Sequence, residues 1–128
     1  MDSAFHTIIE DFITNNIGVC ELFLPVPLAL ELKKNLLELI DNDALKLAGV
    51  GNDIAITKNK LLRNDKIYWL DTAHGNLFEN NFLAIMDAFV VYLNTTCYTG
   101  ITGYEFHYTL YPSGSFYRKH KDQFQNND

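Results

Sequence analysis

The segment YEFHYTLYPSGSFYRKHKDQF, residues 104–124, is the part of the chain that decides the predicted fold. It contains two runs rich in aromatic residues, separated by a Pro-Ser-Gly-Ser turn. His120 and Asp122 lie in the second run with one residue between them. Because alternate side chains of a β-strand point to the same face, we expect this imidazole and carboxylate to project side by side. Such a pair supplies two of the three protein ligands of a 2-His-1-carboxylate site, which holds non-haem Fe(II) and leaves coordination positions open.

A His-x-Asp triplet is a weak signal by itself, since short motifs also occur by chance. Its context strengthens it here, because an aromatic strand, a turn and a second aromatic strand surround the pair. An apolar wall near the metal is predicted from Phe106, Tyr108, Leu110 and Phe116. His107 alternates to the opposite face together with Tyr111, and we interpret it as a hydrogen-bonded strand histidine and not as a third ligand.

The composition predicts one globular domain with a core, since the chain has 128 residues, of which 48% are hydrophobic and 20% charged. The net charge is −6, and the basic cluster at residues 118–121 is short, so the sequence argues against nucleic-acid binding. Neither a secretion signal nor a transmembrane run is recognisable, so we expect a cytoplasmic protein without a membrane partner. Cys20 and Cys97 are predicted to be reduced, buried side chains.

The N-terminal part is predicted to be mainly helical. A first helix should run from an N-cap at Ser3 to about Asn15, with Gly18 as its stop. Its apolar face consists of Phe5, Ile8, Ile9, Phe12 and Ile13. We interpret this face as core, and an amphipathic helix that binds a partner is the alternative. A second helix is predicted at residues 28–40, with Pro27 in its first turn.

The central part is predicted to alternate strands with a long helix. Three short strands are predicted from apolar runs, at residues 19–24, 53–57 and 66–70. Residues 45–51 are expected to form a short helical or irregular piece. A longer helix should follow at residues 77–93, because its apolar residues recur on one stripe. Trp69 is interpreted as a core residue, and the order of elements indicates an α+β fold.

Two sequence segments resemble the 2-oxoglutarate- and Fe(II)-dependent oxygenases of the prolyl 4-hydroxylase type. They are KIYWLD, residues 66–71, and EFHYTLYPSGSFYRKHKDQF, residues 105–124, with a helix between them. The likeness is closest to small bacterial members of the prolyl-hydroxylase-domain group and covers the chain from about residue 49 onward. It implies that N-terminal helices pack on the first part of a double-stranded β-helix, or jelly-roll, core.

The resemblance also implies roles for individual residues. His120 and Asp122 match the first two iron ligands. Tyr111 matches a tyrosine that hydrogen-bonds 2-oxoglutarate, and Tyr117 matches an aromatic residue that lines the site. The alternative for both tyrosines is a barrel-interior aromatic with a locally satisfied hydroxyl. The family would use Fe(II), 2-oxoglutarate as co-substrate and ascorbate as an additional reductant, and it would hydroxylate a prolyl or similar side chain of a protein or peptide.

The sequence departs from the family pattern after Asp122. The pattern requires a second histidine and then an arginine or lysine that pairs with 2-oxoglutarate, whereas this chain ends at Asp128. We therefore expect an incomplete oxygenase domain over residues 1–128, with a helical part at 1–48 and the start of the oxygenase-like core at 49–128. It could be a fragment of a longer oxygenase, a chain completed by a second polypeptide or copy of itself, or a degenerate relative.

Three functions remain open from the sequence. The first is the N-terminal portion of a 2-oxoglutarate-dependent dioxygenase. The second is a non-catalytic truncated homologue that forms homo-oligomers or binds a partner, because a partial jelly roll would leave open sheet edges and an uncovered apolar face. A structural metal-binding domain ranks last, since the sequence offers no credible set of four ligands.

Overall fold

The computed structural model describes residues 1–48 and 64–114, which belong to two compact units. The helical unit comprises Met1–Glu38 and Leu70–Phe106, and the sheet unit lies within Leu39–Trp69 and His107–Asp128. Helices together with a small antiparallel sheet make the fold α+β, as predicted. A jelly-roll core is not seen in the described residues and stays a prediction. The predicted strand at residues 53–57 lies outside the described residues.

Helix α1 (Asp2–Asn15) confirms the first predicted helix but not its cap. Met1 is the N-cap and makes no side-chain cap hydrogen bond, so the predicted cap at Ser3 is wrong. Asn16 ends the helix in the left-handed conformation with φ 64°, and its N–H donates to the Phe12 carbonyl at 2.8 Å. Asparagine tolerates this conformation better than most residues, which explains why the helix stops before Gly18.

The core of the helical unit is aromatic and centres on Phe5, which is 1% exposed. Its ring centroid lies 5.0–5.8 Å from those of Phe89, Tyr92 and Phe23. Further along the same helix, Phe12 and Ile13 are 58% and 66% exposed. The predicted core face of α1 is therefore buried at its N-terminal end and exposed towards its C-terminal end.

Residues 19–24 form loops and turns, so the strand predicted there is wrong. The Val19 N–H donates to the Asp11 carboxylate at 2.7 Å, and Leu22 has a positive φ of 55°. Phe23 contributes its ring to the Phe5 cluster. The segment thus satisfies a backbone donor with a side chain and buries one aromatic residue, without strand pairing.

Gly18 lies so close to α1 that a larger residue should destabilise the fold. An ideal Cβ at this position would lie 2.5 Å from the Ile8 carbonyl oxygen. We expect Gly18→Ala to lower the free energy of unfolding by about 1–3 kcal/mol, because the backbone must move to relieve the overlap. Urea unfolding followed by circular dichroism measures this change.

Gly103→Ala is the matched control for Gly18→Ala. A Cβ at Gly103 would meet no atom within 4 Å. We expect this variant to be unchanged or about 0.4–1 kcal/mol more stable, because alanine restricts the unfolded chain. Equal unfolding midpoints for the two variants would contradict the close approach of Gly18 to α1.

Helix α2 (Val26–Asp41) confirms the second predicted helix and begins before the predicted residue 28. Pro27 lies in its first turn, as predicted, where a missing N–H leaves no hydrogen bond unmade. Leu32 and Leu36 are half-buried, whereas Leu30 and Leu37 are exposed. One side of α2 is therefore partly buried through its leucines, whereas the leucines on its other side are exposed to solvent.

Helix α3 (Leu77–Cys97) confirms the long predicted helix and continues past its predicted end. Asn76 caps it, since its side-chain oxygen accepts from the N–H groups of Phe78 and Glu79 at 3.0 Å each. Met86 is buried, as expected for core filler. Glu79, in the first turn, is only 2% exposed, and its carboxylate accepts a hydrogen bond from the Asn35 amide of α2.

Both cysteines lie in the part of the chain that the structure describes. Cys20 and Cys97 are free, as predicted, but Cys97 is exposed, so its predicted burial is wrong. Cys97 ends α3 instead of lying inside a core element.

In the described ranges, none of the helices is both long enough and apolar enough to span a bilayer.

Among its described residues, the sheet unit contains three short antiparallel strands in the order β1-β2-β3. They are β1 (Lys46–Leu47), β2 (Lys66–Trp69) and β3 (His107–Leu110). β2 confirms the strand predicted at residues 66–70. β3 lies within the first aromatic run of the 104–124 segment and begins at His107. The helical or irregular piece predicted at residues 45–51 is wrong where β1 forms. Leu45 and Ala48, which flank β1, are 6% and 1% exposed, so burial of these side chains fixes this edge strand.

Candidate functional site

One of the four predicted site residues lies in the part of the chain that the structure describes. Tyr111 directly follows β3 and is 53% exposed. The predicted iron ligands His120 and Asp122 lie outside the described residues, as does Tyr117. Their roles therefore stay predictions. Within the described ranges, no three His, Cys, Asp or Glu side chains lie close enough together to hold a metal ion.

The two sequence segments of the predicted site are neighbours in the sheet. β2 contains KIYW and β3 contains HYTL, and the two strands pair antiparallel. The register pairs Lys66 with Leu110, Ile67 with Thr109, Tyr68 with Tyr108 and Trp69 with His107. Residues 38–44 positions apart in sequence thus become direct cross-strand neighbours, which no local pattern in the sequence specifies.

Directly opposite residues share a face of the sheet, so the register defines two faces. The Tyr68 face consists of Lys66, Tyr68, Tyr108 and Leu110, and the Trp69 face consists of Ile67, Trp69, His107 and Thr109. All four side chains of the Tyr68 face are half-buried, and the rings of Tyr68 and Tyr108 lie 6.3 Å apart. On the Trp69 face, Trp69 and His107 are exposed. The Trp69 face is therefore the more accessible one.

Trp69 is 47% exposed, so its predicted core position is wrong. The indole and the imidazole of His107 meet edge to face, with ring centroids 4.8 Å apart and an interplanar angle of 87°. Aromatic rings favour this arrangement because the positive edge of one faces the negative face of the other. The contact holds both rings on the surface of the strand pair.

His107 is a hydrogen-bonded strand histidine, as predicted. Its Nδ1 lies 3.1 Å from the Tyr108 carbonyl oxygen and 2.9 Å from the Thr109 hydroxyl oxygen. Both contacts involve Nδ1, so they hold the ring through one of its two nitrogens.

Tyr111 belongs with the Trp69 face and not with the predicted apolar wall. Period-two alternation along β3 groups it with His107 and Thr109. The residue before a proline favours extended backbone, so Pro112 supports continuation of this alternation through Tyr111. Tyr108 and Leu110 lie on the Tyr68 face, whereas Phe106 packs 5.2 Å from the Phe82 ring within the helical unit. As predicted, Tyr108 and Leu110 share one face of the strand, and Tyr111 belongs to the opposite face.

A turn follows Tyr111, as predicted from the Pro-Ser-Gly sequence. Gly114 has φ 79°, a conformation that side chains with a Cβ rarely adopt. The glycine therefore permits a reversal of the chain immediately before the predicted ligand segment. The sequence does not predict that Trp69 and His107 lie side by side. It does contain one signal of the exposure of Trp69: Tyr68 and Trp69 are consecutive strand residues, so their side chains point to opposite faces.

Among the described residues, the helical unit also has concave surfaces that contain no predicted site residue. A groove of about 670 Å³ between α1 and the C-terminal end of α3 is lined without any charged side chain. A cleft of about 300 Å³ contains the acidic residues Asp71, Asp87 and Glu105. The Asp71 carboxylate already accepts from the Ala73 N–H at 2.9 Å, so it serves as a local cap.

Comparison with models of known protein families, with curated proteins and with solved structures finds no match for this chain.

Proposed function

We propose that this chain is the N-terminal portion of a 2-oxoglutarate- and Fe(II)-dependent dioxygenase that hydroxylates a prolyl or similar side chain of a protein or peptide in the cytoplasm. The observation that supports it is the pairing of β2 with β3. The two segments that resemble these oxygenases, 39 positions apart at their starts, are adjacent strands of one sheet, with Tyr111 at the end of the second. A chance resemblance of two unrelated segments would not require them to pair.

In this proposal His120 and Asp122 hold the metal, because imidazole and carboxylate are the ligands of the facial-triad iron site. When bound, Fe(II) supplies the oxidative chemistry that couples 2-oxoglutarate and O₂ to hydroxylation. Tyr111 fits a co-substrate contact, since its phenol is half exposed and can donate its hydroxyl proton to a carboxylate oxygen. Tyr117 would line the same site.

The proposed site needs a third protein ligand and a cation for the distal carboxylate of 2-oxoglutarate. In the proposal both come from further sequence, from a second polypeptide or from a second copy of the chain. Two ligands bind a divalent metal ion weakly, so metal binding by His120 and Asp122 must be tested with a method that detects weak binding.

Paramagnetic Mn²⁺ is the suitable probe, because it replaces Fe(II) without oxidation and broadens NMR signals of nearby nuclei even when binding is weak. We expect substoichiometric Mn²⁺ to broaden the amide signals of His120, Asp122 and their neighbours before those of other acidic residues. His120→Ala and Asp122→Ala should each lower the Mn²⁺ affinity by about tenfold or more, since loss of even an outer-shell partner costs about 10–100-fold.

His74→Ala and Asp87→Ala are the matched controls, because both residues lie in the helical unit and have no role in the proposed site. Addition of 2-oxoglutarate should tighten Mn²⁺ binding in the unchanged protein and shift the Tyr111 ring signals. Broadening that is spread evenly over the acidic surface, or that persists unchanged in the His120→Ala/Asp122→Ala double variant, would refute the proposed metal site.

A partner-binding module is the second candidate function. The uncharged groove between α1 and α3 favours it, because Phe12, Ile13 and Tyr98 at this groove are 58%, 66% and 88% exposed. Such a module needs no metal. Specific Mn²⁺ binding at His120 and Asp122 therefore separates the two candidates.

A further inference from the structure

The α1–α3 groove, of about 670 Å³, lies between α1 and the C-terminal end of α3 and has exposed apolar walls. On the α1 side, Phe12 and Ile13 are 58% and 66% exposed, and on the α3 side Tyr98 is 88% exposed. Monomeric proteins rarely leave a large apolar patch uncovered, and such a patch usually marks an interaction site. The exposed walls therefore indicate that another surface covers the groove.

The polar groups of the groove do not favour a polar ligand. The hydroxyl of Thr96 donates to the Tyr92 carbonyl oxygen at 2.6 Å, and the hydroxyl of Thr99 donates to the Asn94 side-chain oxygen at 2.7 Å. Both threonines line the groove, and both hydroxyls already have partners within the chain. A surface that covers the groove gains most by burying apolar area.

Tyr98 has an unusual backbone conformation for its residue type. It follows the last residue of α3 and adopts the left-handed conformation, with φ 55° and ψ 39°. Glycine or asparagine is usual at this position, because a bulky side chain makes the conformation costly. Since the Tyr98 ring is 88% exposed, it adds little burial to the fold of its own chain. Burial of the ring against another molecule explains why a large aromatic residue occupies the position.

We infer that the α1–α3 groove is the interface of a homodimer with two-fold symmetry, in which Tyr98 of each copy enters the groove of the other copy. The groove and Tyr98 belong to one patch, so a symmetry axis beside the patch forms the same contact twice, as self-complementary interfaces do. Tyrosine is among the residues that contribute most to binding when they fill a pocket of the partner. None of the proposed metal or co-substrate residues lines the groove, so the inference goes beyond the proposed function.

Charge favours a second copy of the chain at this face. The net charge is −6, so two copies repel each other on average. No charged side chain lines the groove, and two copies can therefore meet here without placing like charges together.

The exposure of the walls argues against a small apolar ligand. Small-molecule sites bury about 70–90% of the ligand surface. In this groove Phe12, Ile13 and Tyr98 are each more than half exposed, so a ligand between them would stay partly in water. A protein surface covers the groove and its walls together.

Sedimentation velocity over a concentration series measures the association, with a reducing agent present because Cys97 is exposed and free. We expect the unchanged full chain to dimerise with a dissociation constant in the micromolar range. Ile13→Lys should weaken the dimer by about tenfold or more, because it places a charge from each copy in an apolar interface. Val91→Lys is the matched control and should leave the association unchanged, since Val91 is 63% exposed on α3 but does not line the groove.

Tyr98→Gly separates association from folding. Loss of the ring should weaken the dimer by about tenfold or more. The urea midpoint, measured at concentrations where the chain is monomeric, should stay the same or rise, because glycine adopts a positive φ without steric cost. Tyr98→Phe keeps the ring and should keep the dissociation constant within about threefold of the unchanged protein.

A chain that remains monomeric up to millimolar concentration would overturn the inference. A dimer that survives both Ile13→Lys and Tyr98→Gly unchanged is held by another surface and would overturn it as well. Saturable binding of an uncharged fluorescent dye to a strictly monomeric chain, abolished by Ile13→Lys, would identify the groove as a small-molecule site instead. Mn²⁺ binding at His120 and Asp122 is a separate measurement, so failure of the dimer and failure of the proposed function are distinguishable.

Discussion

Phe5→Ala should lower the free energy of unfolding by about 3–5 kcal/mol, the range found for phenylalanine removed from a packed core. Phe5 is 1% exposed and touches the rings of Phe23, Phe89 and Tyr92, with centroid distances of 5.0–5.8 Å. Its removal takes away apolar burial and three ring contacts, and it leaves a cavity between α1, α3 and the segment before α2. A domain of this size is typically stable by about 5–15 kcal/mol, so this loss is a large share of the total stability.

Phe12→Ala is the matched control, because Phe12 lies on the same helix and is 58% exposed. We expect a loss of about 1 kcal/mol or less, since little apolar surface is uncovered and alanine favours the helix. Urea unfolding, followed by circular dichroism and analysed with a common slope, measures both variants. Similar losses at the two positions would show that the aromatic cluster does not hold the helical unit together.

The helices could be predicted from sequence because their signals are local. Apolar residues repeat at helical spacing in α1, α2 and α3, and Pro27 and Asn76 mark starting points that depend only on neighbouring residues. The errors at helix ends have local causes too. Ser3 is a good cap by residue type, but the observed cap is Met1, two residues earlier, and the helix begins at Asp2.

The failed strand prediction at residues 19–24 shows what local patterns omit. An apolar run predicts a strand only if another strand is available to pair with it. Here Val19 bonds to the Asp11 carboxylate and Phe23 enters the aromatic cluster, so tertiary contacts decide the conformation. β1 is the opposite case, since its two residues, Lys46 and Leu47, are too few to give a pattern.

The candidate site could be predicted only in part. Residue types and spacing in the 104–124 segment indicate metal and co-substrate chemistry, and these predictions concern single residues. The register of β2 against β3 is a long-range property, and it decides that Trp69 lies beside His107. The separation of Tyr111 from Tyr108 follows from strand alternation alone and could be predicted. Tryptophan is usually well buried, whereas Trp69 is 47% exposed at the end of β2.

Asn35→Leu should cost about 3 kcal/mol of unfolding free energy, although Asn35 is only half-buried. Its side-chain amide donates to one carboxylate oxygen of Glu79, which is 2% exposed. Among the described residues, the other oxygen, Oε1, has no hydrogen-bond partner. The substitution therefore removes a hydrogen bond from a buried carboxyl group that is already incompletely paired, and a buried polar group without partners is expensive.

Glu79→Leu should cost far less, about 1 kcal/mol or less, although it breaks the same hydrogen bond. It removes the buried carboxyl group together with its unpaired oxygen, and the half-buried Asn35 amide can turn to water. The N–H of residue 79 keeps its bond to the Asn76 cap in both variants.

The Asn35→Leu/Glu79→Leu double variant should therefore recover most of the loss caused by Asn35→Leu, and urea unfolding of all four proteins gives the coupling energy. Additive losses in the double variant would mean that Asn35 stabilises the fold through its other contacts and not by pairing with Glu79. Recovery would mean that one buried carboxylate, held by a single amide, joins α2 to the start of α3.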